Sequence, residues 1–179
     1  LAIRSLAGVP SVVFGLFGLS LFVILLGFGP SLLAAALTLA CLTLPLMVTA
    51  SEQAFLAVPK DYRDASYALG ASKWQTIRKV VLPAAAPTVI TGIILSVGRV
   101  AGETAPIMFT GAAFFAPHIA RSLFSEVMAL PYHLFVLATN VPGASANKYG
   151  TALVLLMLVV GFYAVAIAAR THFQKKMRA

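Results

Sequence analysis

Residues 31–51 read SLLAAALTLACLTLPLMVTAS, a run without a single Asp, Glu, Lys or Arg. A helix needs about 20 mostly apolar residues to cross a bilayer, and this run supplies them. Its neighbours repeat the pattern. Residues 9–28 are equally free of charge, and Gly27-Phe28-Gly29-Pro30-Ser31 between the two runs is a tight-turn signal. On the other side, 84–103 and 151–169 complete a set of four expected spans, the third ending with charged residues. The stretch Leu1–Leu26 is longer than the apolar core of a signal peptide and no A-x-A site follows it, so it reads as a mature span. Leu1 in place of Met suggests a fragment or processed product.

Composition agrees. Of 179 residues, 60% are hydrophobic and 10% charged, with a mean hydropathy of +0.96. Soluble domains run nearer 45–50% apolar and about 25% charged. A disordered chain, a disulfide scaffold and an ordinary cytosolic enzyme are thereby excluded. The fold class expected is an all-α, polytopic transmembrane helical bundle. Cys41 is the one cysteine and reads as a small core residue.

The net charge of +8 sets the topology. Lys60, Arg63, Lys73, Arg78 and Lys79 lie between spans two and three, and Arg170, Lys175, Lys176 and Arg178 follow span four. Basic residues collect in short cytoplasmic loops, so both regions are placed inside, and Arg4 with them. Residues 104–150 then lie outside, with Arg121, Glu126 and Lys148. The apolar segment 122–140 carries Glu126, Pro131 and His133 and is expected to be an outer interfacial or re-entrant helix that does not cross.

Residues 59–83 read PKDYRDASYALGASKWQTIRKVVLP. Pro59 suits a helix start, and Asp61 falls in the first turn, where the dipole favours an anion. Tyr62, Ala65 and Leu69 share a face, and Gly70 is a stop signal. Ser72 with Gln75 forms a capping box for a second helix with a Trp74, Ile77, Val81 stripe, and Pro83 ends or kinks it. Asp64-Ala65-Ser66, three residues, Gly70, nine residues, then Val80-x-Leu82-Pro83 resembles the EAA loop of ABC importer permeases. Asp stands for the family's Glu, Ser for its second Ala and Val for its Ile. The resemblance implies a coupling helix that docks on a cytoplasmic ATPase, carried here by Asp64, Ala65 and Gly70, with Arg63, Ser66, Leu82 and Pro83 in the same motif. Gly70-Ala71-Ser72-Lys73 is not a P-loop, so ATP and its Mg belong to a separate subunit and no cofactor is expected in this chain.

Charge at membrane depth is costly and marks function by default. Arg99 and Glu103 stand at i, i+4 near the outer end of span three, and counting from Ala84 puts Arg99 about 22 Å along the helix, beyond the midplane. Gly98 and Gly102 form a G-x-x-x-G step that admits a close backbone or ligand. Arginine is a natural binder of a tetrahedral oxyanion, because its planar fork donates two parallel hydrogen bonds. Glu103 would hold the guanidinium and temper affinity, or accept a proton from a protonated oxyanion. A structural ion pair between helices is the competing reading.

The runs 99–106 (RVAGETAP), 8–15 (GVPSVVFG) and 64–70 (DASYALG) together resemble phosphate-specific ABC importer permeases of the PstA type over nearly the whole chain. The resemblance implies a type I (MetI-like) importer permease with two N-terminal spans absent, in a bacterial or archaeal plasma membrane. It also implies a phosphate path at Arg99, Glu103 and Thr104. The implied partners are a second permease of the PstC type, an ATPase dimer of the PstB type and an extracytoplasmic phosphate-binding protein. A permease for molybdate or sulfate, and an ATP-independent channel or secondary transporter, are the alternatives.

Weaker candidates have local readings. Ser11 is expected to cap its helix, with lining of the path as the alternative, and Thr38, Thr43 and Thr49 to bond their own backbone, with pore lining as the alternative. Glu52 is expected to pair with Lys60 or Arg63. His118, His133 and His172 lack metal-ligand spacing, and no catalytic Ser-His-Asp or Cys-His set is arranged.

Overall fold

The computed structural model describes the backbone of residues 2–114 and 120–178, with side chains for all of these but 2, 169 and 172–178. His118 therefore lies outside the described residues, as do the side chains of His172, Lys175, Lys176 and Arg178. The described chain is almost wholly helical, with a lone bridge between Ala112 and Val127.

A short α1 (Ala2–Ala7) precedes α2 (Ser11–Gly18), which continues as a π-helical stretch to Leu25. The stretch Ser11–Leu25 is shorter than the expected 9–28 span. Pro10, not Ser11, holds the N-cap position, without a side-chain cap, so the capping expected of Ser11 is not made. Next come α3 (Leu32–Leu56), α4 (Lys60–Ala68) and α5 (Lys73–Thr76). From α5 the helix runs on through a π-helical segment, Ile77–Val81, into α6 (Leu82–Val100). Pro83 sits at the start of α6 and does not end the helix. A proline lacks its N–H and crowds the carbonyl four residues back, and the wider π turn just before it accommodates both. Then follow α7 (Ala105–Thr110), α8 (Leu130–Thr139) and α9 (Ser145–Arg178).

Among the described residues three helices are long and apolar enough to cross a membrane, Leu32–Leu56, Lys73–Val100 and Ser145–Ala168. Segment 122–140 holds only the ten residues of α8, about 15 Å, half a hydrocarbon core. Its first part instead covers the top of α3. The N–H groups of Leu32 and Leu33, orphaned at a helix start, donate to the carbonyls of Ser125 and Leu123 at 2.9 and 2.8 Å. Ser31 caps Ala34 at 3.2 Å.

Helix α6 packs between α3 and α9, and α2 packs against α3 and α7. In lipid, apolar area does not drive one helix onto another, and close packing of small residues does. The buried side of α3 is accordingly Ala34, Ala35, Thr38, Leu42, Thr43, Pro45 and Ala54. Gly18 lies so close to Thr38 that a Cβ there would collide with its hydroxyl. The hydroxyls of Thr38, Thr43 and Thr49 donate to carbonyls one turn back, at 2.7, 2.8 and 2.7 Å. They thus bond their own helix, in the manner expected of them.

Candidate functional site

Glycine contacts give two depth markers for Arg99. A Cβ on Gly98 would stand 3.3 Å from Phe162 Cβ, so α6 and α9 touch at that level. Phe162 lies about 3 Å along the axis from Val160, the centre of the expected 151–169 span. A Cβ on Gly92 would stand 2.9 Å from Ala50, at the inner end of the 31–51 run, and Arg99 lies about 10 Å further out. Measured against the expected spans, both markers put Arg99 nearer mid-depth than the count from Ala84 does. The two differ because the helix starts below Ala84, at Lys73. Gly102 takes no part in the helix contact, since the nearest atom to a Cβ there is its own chain's Arg99 carbonyl, at 3.6 Å.

Helix α6 ends at Val100, and the N–H groups of Ala101, Gly102 and Glu103 close a tight turn on the carbonyls of Val97, Arg99 and Val100. Glu103 thus stands in the turn beyond the helix. Its Oε1 lies 3.9 Å from Arg99 Nε, a distance for charge attraction and not for a hydrogen bond. The Glu103 side chain is 16% exposed and the Arg99 side chain 57%. More than half of the Arg99 side chain is therefore open on the surface of this chain. Thr104 precedes α7 and its carbonyl accepts from Met108 N–H at 3.0 Å, with no side-chain cap. The structure brings Arg99, Glu103 and Thr104 into one turn.

The second group of candidates forms an elbow below α3 and α6. Gly70 has φ +79°, which only glycine adopts without strain, and it closes α4 in a Schellman pattern. Its N–H donates to the Tyr67 carbonyl at 2.9 Å and Ala71 N–H to the Ser66 carbonyl at 3.2 Å. The Ser72–Gln75 capping box starts α5, with both of its hydrogen bonds made. Across the elbow the buried hydroxyls of Ser66 and Thr76 bond each other at 2.9 Å. Arg63 donates to the Phe55 carbonyl at 2.8 Å and ties α4 to the foot of α3. Val58, Val81 and Ala85 form a small buried core there. The large apolar side chains near the Gly70 turn face outward. Leu69 is 89% exposed and Trp74 68%, with Tyr62 also open. Asp64 and Ala65 are exposed beside them.

Sequence reasoning missed one partnership. Glu52 pairs with Arg4 at 2.8 Å, and not with Lys60 or Arg63. Arg63 spends its donor on a carbonyl instead, and α1 folds back along α3 to deliver Arg4. Only the positive-inside placement of Arg4 on that side of the membrane hinted at it. Among the described residues no cluster of His, Cys, Asp and Glu could hold a metal ion.

Residues 3–179 match the family described as "Binding-protein-dependent transport system inner membrane component". The chain is 37% identical to the "Probable ABC transporter permease protein YqgI" of Bacillus subtilis, over 99% of this chain and 65% of that protein. It is 41% identical to the "Phosphate transport system permease protein PstA 1" of Mycobacterium tuberculosis, over 97% of this chain and 56% of that protein. The "Probable phosphate transport system permease protein PstA" of Methanocaldococcus jannaschii is 33% identical, over 86% of this chain and 54% of that protein. The chain thus spans little more than half to two thirds of these relatives. No solved structure matches it.

Proposed function

Because the chain belongs to the family of binding-protein-dependent transport system inner membrane components, we propose that it is a multi-pass permease subunit of an ATP-driven importer and that inorganic phosphate is its cargo. The observation that supports the reading is Arg99, a cation within an expected span whose side chain is more than half exposed. Such a charge is not left facing lipid, because holding it in hydrocarbon costs several kcal/mol and Glu103, at 3.9 Å, makes no hydrogen bond to it. It needs a second protein surface and a wet path beside it. A second permease of the PstC type would supply the surface, and phosphate in transit would supply the counter-charge. The names of the PstA relatives favour phosphate over molybdate or sulfate.

The parts fit an alternating-access cycle. The guanidinium donates two parallel hydrogen bonds to a phosphate arriving from an extracytoplasmic binding protein. Glu103, close but unbonded, repels the anion enough to keep the site weak and permit release. The outward-facing Tyr62, Leu69 and Trp74 of the elbow offer the apolar surface on which a PstB-type ATPase dimer docks, with Arg63, Asp64, Ala65, Ser66, Gly70, Leu82 and Pro83 shaping it. ATP and Mg would be bound by that dimer and hydrolysed there. Lys73 and Arg99 lie on one continuous helix, Lys73–Val100, about 42 Å long. Movement of the docked elbow therefore reaches the arginine through a single rod.

The test is phosphate uptake by the assembled transporter carrying Arg99→Gln. Uptake is expected to fall at least tenfold while the subunits still co-purify and the ATPase still turns over. Normal uptake would overturn the site. Competition by molybdate or sulfate at phosphate-like concentrations would overturn the choice of cargo.

A further inference from the structure

The elbow borders a half-open cavity of about 370 Å³, of whose lining the transport reading uses only Arg63. It is lined by Phe55, Arg63, Tyr67, Lys73, Thr76, Ile77 and Val81. One part of this wall is cationic, from α4 and the start of α5. The other is apolar, from the foot of α3 and the π-helical segment. Arg63 is half-buried and anchored by one hydrogen bond to the Phe55 carbonyl, which leaves most of its five donors unspent. Neither Arg63 nor Lys73 is ion-paired, for the pairs among the described residues are Arg4–Glu52 and Arg99–Glu103. The cavity lies at the foot of α3, against α4, α5 and the π-helical segment that leads into α6.

We propose that this cavity is a binding site for an anionic phospholipid of the cytoplasmic leaflet. The phosphodiester lies between Arg63 and Lys73, the Tyr67 hydroxyl donates to it, and the first acyl methylenes lie on Phe55, Ile77 and Val81. The mixed wall decides the class of ligand. A free phosphate ion uses the cations but leaves the apolar wall wet, and an uncharged lipid leaves two cations unneutralised. Basic pockets at the cytoplasmic end of membrane helices hold anionic headgroups for this reason. The site also joins α3, α4 and α5, so an occupied cavity braces the elbow from the membrane side while its opposite, apolar face stays free.

The proposal rests on the inside placement of the elbow but not on phosphate as cargo. The experiment is native mass spectrometry of the complete permease, purified without ATPase and exchanged into nanodiscs of phosphatidylcholine with or without one-fifth phosphatidylglycerol. The wild type is expected to retain phosphatidylglycerol, and 10 mM inorganic phosphate is expected not to displace it. Lys73→Gln is expected to lower retention about fivefold, the factor that one surface cation contributes. Lys79→Gln, outside the cavity wall, serves as the matched loss of charge and is expected to change retention less than twofold. Equal retention by the wild type and Lys73→Gln, equal losses in both variants, or displacement by free phosphate would each overturn the proposal. So would a Lys73→Gln variant that keeps its lipid but loses the ATPase, since the cavity would then be a protein-docking site. Failure of phosphate uptake in the Arg99 variant bears on the cargo and leaves this outcome untouched.

Discussion

The contact between Gly18 and Thr38 makes a demanding test of how the bundle is held together. In a helix, Gly→Ala ordinarily gains up to about 1 kcal/mol from propensity. At Gly18 the sign is expected to reverse. The new Cβ would collide with the Thr38 hydroxyl, stand 2.6 Å from Thr38 Cγ2 and 2.9 Å from Thr110 Cγ2. Thr38 and Thr110 are wholly buried, and each spends its hydroxyl on a carbonyl one turn back at 2.7 Å. Relief requires α2 to move off α3 or Thr38 to leave its rotamer and its hydrogen bond. Overpacking of this kind costs about 1–3 kcal/mol, and the lost hydrogen bond about 1 more. A loss of about 2–3 kcal/mol is expected for Gly18→Ala. Thr38→Ala removes both colliding atoms and alone costs about 1–2 kcal/mol for the void it leaves. The double variant is therefore expected to be more stable than the sum of the singles by at least about 1.5 kcal/mol. Gly161→Ala on α9, where a Cβ meets nothing within 4 Å, is expected to stay within about 0.5 kcal/mol of wild type. Reversible unfolding in mixed detergent–SDS micelles reads all four. Additivity of Gly18→Ala with Thr38→Ala, or equal behaviour of Gly18→Ala and Gly161→Ala, would refute the close-packing argument.

Other outcomes follow from the elbow and the amino-terminal pair. Ser66→Ala leaves the buried Thr76 hydroxyl without its partner and is expected to cost about 1–3 kcal/mol, while Ser66→Ala with Thr76→Val is expected to recover most of it. Limited proteolysis across residues 60–80 checks the order of the two. Leu69→Glu, at an 89% exposed position, is expected to leave permease stability within about 0.5 kcal/mol and to weaken ATPase co-purification at least tenfold. Gly70→Val forces a branched side chain into φ +79° and is expected to lower both together, so the pair separates docking from folding. Arg4→Gln breaks an ion pair whose side chains are 57% and 46% exposed, and a double-mutant cycle with Glu52→Gln is expected to give a coupling of no more than about 1 kcal/mol.

What the sequence made legible, and what it hid, both follow from the solvent. Where the chain meets water, local rules are explicit. The Ser72–Gln75 box and the Gly70 stop could be read directly, because each satisfies orphaned backbone groups within a few residues. Within the bilayer, apolar residues face lipid and protein alike, so periodicity reveals length but not the buried side. Span α9 shows the consequence, for its most apolar window is only 6% buried. The helix contacts are written instead in Gly18, Gly92 and Gly98 and in back-bonded threonines, and a glycine does not announce its partner. Arg99 was therefore visible as an anomaly, but its depth was not, until Gly98 fixed α6 against Phe162. The elbow inverts the usual inference from an amphipathic stripe. Tyr62 and Leu69 share a helix face, as the spacing indicates, yet that face looks outward while Arg63 and Ser66 turn in. A stripe of apolar side chains turned to solvent, while neighbouring polar groups turn in to bond their own fold, is the pattern of a surface shaped for another chain. On the proposed membrane placement the same reasoning extends to Arg99, whose side chain is more than half exposed. The proposed assembly therefore predicts two interfaces on this chain, an apolar one at the elbow and a charged one along α6.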